Sequence, residues 1–206
     1  MVGGEKFITM TIFVIGYMAS GKTTFGRALA KRMGCDFYDL DFYIEQRFRR
    51  PISRIFAEEG EERFRQIEAN MLRELGDFED IVVACGGGTP CFHENMDYMQ
   101  ERGLTVWLDS TPDCITRRLI INNSRRPLMA GKSEEEIASA VTEGLRSRHP
   151  FYSQAKIRIC GDRLESKAQI SDTIDNFYLQ LRPFCANFVN QTPLSNNFNP
   201  TISTQL

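Results

Sequence analysis

The stretch GYMASGKTT occupies residues 16–24, directly behind the apolar run FITMTIFVI at residues 7–15. It matches GxxxxGK[ST] without a gap, with a strand pattern before it and a helix pattern after it. Glycines let such a loop curl so that successive backbone N–H groups point inward at phosphate oxygens. The N-terminus of the following helix adds a positive dipole end. Lys22 is placed to bridge β- and γ-phosphates, and the Thr23 hydroxyl to ligate Mg²⁺. The competing reading, a glycine-rich turn capped by Ser and Thr, does not account for the complete motif in its full context. The implied ligand is a nucleoside triphosphate bound by Gly16, Met18, Ala19, Ser20, Gly21, Lys22, Thr23 and Thr24.

Outward from the loop, short apolar runs alternate with helical patterns along the chain. Strands are expected at Ile8–Ile15, Asp36–Asp39, Ile81–Cys85, Thr105–Leu108 and Lys156–Cys160. Helices are expected at Lys22–Met33, Phe42–Arg49, Ile52–Glu59, Glu61–Leu75, 92–102, 112–122, Glu134–Arg148 and Ser166–Leu181. This alternation predicts an α/β domain with a five-stranded parallel sheet covered by helices on both faces. The loop SRRPLMAGK at 124–132 has the composition of a mobile lid, spanning about 122–133, that carries charge to the γ-phosphate. From Pro183 the chain has no charged residue and is rich in Asn, Thr, Ser and Pro, which predicts a mostly disordered tail over 183–206. The folded domain is therefore expected over 1–182.

The bulk properties exclude several functions. With 206 residues there is room for one ordinary domain, and 25 Lys+Arg against 27 Asp+Glu leave a net charge of −2. No global field draws this chain to nucleic acid or a membrane. No apolar run approaches the roughly 18–20 residues of a spanning helix. The N-terminus lacks a signal-peptide build, and Met10 is an alternative start. Cysteines 35, 85, 91, 114, 160 and 185 form no CxxC pair and sit at no zinc spacing, so a reducing cytoplasm is expected. The default oligomeric state for such a compact domain with a closing lid is monomer.

The remaining motifs describe an acceptor for the phosphate. Asp39-Leu40-Asp41 lies at the carboxyl end of the second strand, where ligands sit in open α/β sheets. One aspartate there can act on the Mg²⁺ shell and the other can accept a proton from an attacking hydroxyl. Asp41 can instead cap the helix expected at Phe42. Gly86-Gly87-Gly88 follows the third strand, fitting either close approach of a ligand to bare backbone or a tight turn. Arg65 and Glu68 share one helix face three residues apart, as a carboxylate steering a guanidinium or as a solvated surface pair. Arg148 ends a long helix, where a cation also suits the dipole.

The combination of GYMASGKTT, DLD at 39–41, GEERFRQIE at 60–68, GGG at 86–88, RRPL at 125–128 and RHPFY at 148–152 resembles the shikimate kinase family from about residue 10 to 180. The resemblance implies a P-loop NTPase fold and transfer of the ATP γ-phosphoryl group to the 3-hydroxyl of shikimate, in the route to chorismate and the aromatic amino acids. It implies that Asp41 binds and deprotonates that hydroxyl beside the backbone of Gly87, and that Arg65 and Arg148 grip the shikimate carboxylate. Phe64 would pack on the ring. Arg126 resembles the lid arginine that approaches the phosphates, and Arg118 the residue that stacks on adenine. Lys22, Thr23 and Asp39 keep the roles given above, with ATP as co-substrate and Mg²⁺ as cofactor. Thr89, Phe151 and the Leu128-Met129 pair depart from the family pattern without removing a functional group. Another small-molecule kinase of this fold, such as a gluconate kinase, and a catalytically silent nucleotide-binding module are the alternatives. A silent module is expected to have lost Lys22, Asp41 or Arg126, and all three are present.

Overall fold

The computed structural model describes residues 10–121, 132–181 and 184. Strands β1 (Thr11–Ile15), β2 (Asp36–Asp39), β3 (Ile81–Ala84), β4 (Gly103–Asp109) and β5 (Ile157–Cys160) form one sheet in the order β2-β3-β1-β4-β5. All four pairings are parallel, with Phe13 opposite Val83 on one side and Thr105 on the other. The helices are α1 (Lys22–Met33), α2 (Leu40–Phe48), α3 (Ile52–Gly76), α4 (Asn95–Arg102), α5 (Pro112–Ile121), α6 (Glu134–Tyr152) and α7 (Lys167–Leu181). A 3₁₀ turn, Thr89–Cys91, joins β3 to α4.

Strand alternation divides the interior into two cores. Phe13 and Ile15 of β1 join Ile67 and Leu72 of α3, Ile115 of α5 and Val141 of α6. Ile12 and Val14 face the other way, toward Phe25 and Leu29 of α1 and Phe177 and Leu181 of α7. Every residue of β1 and β3 is buried, which is why these strands read as continuous apolar runs. Burial of each such large side chain stabilises the fold by about 1.5–3 kcal/mol. The carboxyl end of central β1 leads straight into the GYMASGKTT loop, so the loop sits where the strand ends converge. Among the described residues no helix is long and apolar enough to cross a membrane.

The expected sheet and its helical cover are both present, with some shifted boundaries. Met10 precedes β1 instead of belonging to it, and residues 8 and 9 lie outside the described residues. Helix α2 begins at Leu40, so its N-cap is Asp39, which accepts from Phe42 N at 3.4 Å. Asp41 therefore lies inside the first turn and is not the cap. Helix α6 continues past Arg148 to Tyr152 although Pro150 removes one N–H near its end, because Tyr152, fully buried, anchors the last turn. Helix α4 starts only at Asn95, after His93 and Glu94 adopt left-handed backbone. The two helices expected on either side of Gly60 join as α3, which breaks at Gly60 with φ 83° and ψ 172°. Most of the expected lid and, Phe184 apart, the expected tail lie outside the described residues.

Candidate active site

The loop after β1 is a cradle whose geometry rests on two glycines. Gly16 and Gly21 have φ of 143° and 98°, and a Cβ on Gly16 would stand 2.6 Å from the Leu108 carbonyl oxygen. Ser20 N donates back to the Tyr17 carbonyl at 3.2 Å. Lys22 folds over the loop and donates through Nζ to the carbonyls of Gly16 at 2.8 Å and Tyr17 at 2.7 Å. No side chain caps α1, so its first N–H groups face the cradle. The Ser20 side chain is buried, so this residue meets the cradle through its backbone.

Thr23 donates through Oγ1 to Asp39 Oδ2 at 2.7 Å, bringing a hydroxyl and a carboxylate together at the cradle's edge. These are hard oxygen donors, and Mg²⁺ suits one or two such ligands completed by phosphates and water. Arg118 reaches across from α5. Its NH1 donates to the Gly161 carbonyl at 2.9 Å and to those of Ser20 and Ala19 at 3.3 and 3.4 Å, while NH2 meets Glu165 at 2.8 Å. It lines a cavity of about 400 Å³ together with Met18, Thr24, Lys22, Asp41 and Leu164.

The acceptor side is organised by the turn Gly86-Gly87-Gly88, and each glycine leaves room for a different group. A Cβ on Gly86 would stand 2.9 Å from Asp41 Oδ1 and 2.9 Å from Glu68 Oε1. One on Gly87 would stand 3.2 Å from Arg148 NH1 and 3.1 Å from Met18 N, and one on Gly88 2.9 Å from Arg65 NH1. Functional side chains crowd the volume a methyl group would need at Gly86 and Gly88, and at Gly87 the cradle backbone and Arg148 do so together. Asp41, Arg65 and Arg148 also line one larger cavity of about 1460 Å³.

Asp41 is exposed to solvent on the side that opens onto this cavity. Protein crowds it on the other sides, and this burial, reinforced by Asp39 and Glu68 and opposed by Lys22, holds its pKa up at about 6. The open side tempers the burial contribution, while the two neighbouring carboxylates push in the same direction. A carboxylate tuned upward in this way suits the transfer of a proton near neutral pH.

Arg65 is held from both edges. NH1 meets Glu68 Oε2 at 3.1 Å, and NH2 meets Glu61 Oε1 at 2.9 Å. Its guanidinium also lies 4.2 Å from the Phe92 ring centroid. Glu68 is 1% exposed, so the expected surface-pair reading of Arg65 and Glu68 gives way to a buried clamp. Arg148 stacks over Tyr17 at 4.9 Å, and Tyr152 donates to the Gly87 carbonyl at 2.5 Å. Phe64 is buried, with Phe56 packed on it at 4.4 Å between ring centroids. It is Phe56 that lines the cavity. Sequence reasoning gave no role to Phe56, Tyr17 or Glu61, and noted Thr89 only as a departure from the family pattern. Their pairing with site residues is tertiary, although Glu61 at i−4 from Arg65 was open to inspection. Arg126 lies outside the described residues.

A family model described as shikimate kinase matches residues 18–178. A shikimate kinase of Phocaeicola vulgatus is 49% identical over 170 residues, 82% of this chain and 97% of that protein. The crystal structure of shikimate kinase from Bacteroides thetaiotaomicron has a TM-score of 0.83 at 41% identity, covering 85% of this chain and 99% of the other. That of shikimate kinase from Acinetobacter baumannii in complex with shikimate has a TM-score of 0.74 at 29% identity, covering 88% and 96%.

Proposed function

This chain belongs to the shikimate kinase family, and from that premise we propose that Asp41, Arg65 and Arg148 hold shikimate while the GYMASGKTT cradle holds ATP. The chain is an ATP-dependent kinase that phosphorylates shikimate. The γ-phosphoryl group goes to the 3-hydroxyl, whose proton Asp41 receives. Arg65 and Arg148 form two forks for the ring carboxylate, and Phe56 backs the ring with Phe64 behind it. Lys22 leaves the carbonyls of Gly16 and Tyr17 to meet the phosphates, and by the family pattern Arg126 brings them a second positive charge. Arg118 flanks the base. Mg²⁺, which would neutralise charge developing on the phosphates, fits beside Thr23 and Asp39. Phosphoryl transfer asks little covalent chemistry of a protein, so positioning and charge stabilisation carry this reaction.

The observation that carries this reading is the triple-glycine turn. It packs the Asp41 carboxylate and two arginines against three consecutive residues, at the edge of a phosphate cradle. We place the reaction in the cytoplasm, with the protein a monomer. Cysteines 35, 85, 91, 114 and 160 are all free thiols, which supports that setting. The test is a coupled ADP-release assay with Mg²⁺-ATP and shikimate, gluconate, quinate or AMP as acceptor. ADP release that requires shikimate is expected. Release driven equally by gluconate or AMP, or none with any acceptor, would overturn the reading.

A further inference from the structure

Thr89 follows the triple glycine and has no place in the reaction as described so far. It is fully buried, and its Oγ1 donates to Glu68 Oε1 at 2.6 Å. The other oxygen of Glu68 receives Arg65 NH1 at 3.1 Å. We infer that Thr89 is a positioning residue for the acceptor carboxylate: by occupying Oε1 of Glu68, its hydroxyl restricts that carboxylate to one contact with Arg65 and keeps the guanidinium fork turned toward the cavity. The inference rests on the reading of Arg65 as a carboxylate clamp.

A buried carboxylate needs donors on both oxygens, and an arginine can supply both at once as a parallel fork. Were Arg65 to do so, its two best donors would turn inward, away from the substrate. Thr89 prevents this by taking Oε1 itself. The outer edge of Arg65 then faces Glu61, a largely exposed carboxylate to which Nε and NH2 donate at 3.3 and 2.9 Å, and a substrate carboxylate would take that place. Thr89 is itself held in register. Its N–H donates to the Gly86 carbonyl at 3.2 Å, and its own carbonyl accepts from Asn95 Nδ2 at 2.9 Å. Asn95 in turn accepts from Arg73 NH1 at 3.0 Å. A Cβ on Gly86 would stand 3.0 Å from Thr89 Oγ1, so the glycine turn makes room for this hydroxyl as it does for the site's charged groups.

The test compares Thr89→Val, Thr89→Ala and Thr89→Ser with the parent enzyme, using shikimate and its uncharged methyl ester as acceptors. Thr89→Val is expected to raise the KM for shikimate about tenfold, the effect of one lost buried hydrogen bond, with the KM for ATP unchanged. Thr89→Ser retains the donor and should restore the parent value. With the methyl ester, which presents no carboxylate charge, Thr89→Val and parent should behave alike. Should valine not be tolerated in the packing, Thr89→Ala is read in the same way. An unchanged KM for shikimate, or an equal rise for both acceptors, would overturn the inference. A loss of melting temperature as the sole effect would do the same, marking Thr89 as structural. Arg65→Lys run in parallel separates the two levels. If it leaves the KM for shikimate unmoved, the clamp reading fails; if it raises that KM and Thr89→Val does not, the role of Thr89 alone is lost.

Discussion

Ala19 adopts φ of 61° inside the phosphate cradle, a left-handed backbone that costs an L-residue about 1–2 kcal/mol. Strain of this kind persists where surrounding structure over-determines it, and here Ser20, Lys22 and Arg118 pin the same loop. Ala19→Gly should release the strain, offset in part by the greater freedom of glycine in the unfolded chain. A net gain of up to about 1 kcal/mol is expected, read as a higher urea midpoint with an unchanged slope; a lower midpoint would contradict it. Asp41 poses a chemical question instead of a conformational one. Asp41→Asn keeps the shape and loses the proton acceptor, so kcat should fall by about 10²–10⁴-fold while ATP still binds. Turnover near the parent value would remove Asp41 from the role of base. Asp41 was legible in the sequence because the DLD motif ends a strand. Its raised pKa was not, since that comes first from the packing of the folded protein around it, with Asp39 and then Glu68 of α3 adding to it.

At the scale of elements, α3 carries much of the acceptor site and depends on one residue for its shape. Gly60 has φ 83° and ψ 172°, a region essentially confined to glycine, and no atom lies within 4 Å of a Cβ built there. A substitution would therefore act through backbone strain and not through collision. Gly60→Ala should cost about 1–3 kcal/mol and raise the KM for shikimate, because the break sets the angle at which Phe56 approaches Phe64. Equal stability and an unchanged KM would show that this angle does not matter. The break was legible because glycine between two helical patterns is a local signal. So was α1, bounded by the cradle and by Gly34, and its ends fall where expected. The start of α2 was not, because Asp39 and Asp41 are both plausible caps and only the tertiary pairing of Asp39 with Thr23 separates them. The run of α6 past Pro150 was hidden for the same kind of reason: burial of Tyr152 outweighs the local effect of proline. In the glycine turn, sequence reasoning left ligand approach and a tight turn open, and the crowding of the turn by the site's own side chains was not legible because those neighbours are tertiary.

For the molecule as a whole, a net charge of −2 must coexist with two anionic substrates. The resolution is local: Lys22, Arg65 and Arg148 converge on the strand ends while acidic residues elsewhere balance them. The same separation of local from global applies to stability. Both cores close within the described residues, with Leu181 of α7 fully buried and Phe177 meeting Phe25 edge-on at 5.9 Å between centroids. The segment beyond Phe184 has no charged residue, and among the described residues both cores are already filled by side chains that precede it. A chain ending at residue 184 is therefore expected to keep its melting temperature and both Michaelis constants. It should also gain stability on binding, by about 2.7 kcal/mol when shikimate is supplied at 100 times its Kd. A clear fall in melting temperature without ligand would show that residues 185–206 dock on the domain. A normal melting temperature with a smaller gain from shikimate would show instead that they act on the occupied site.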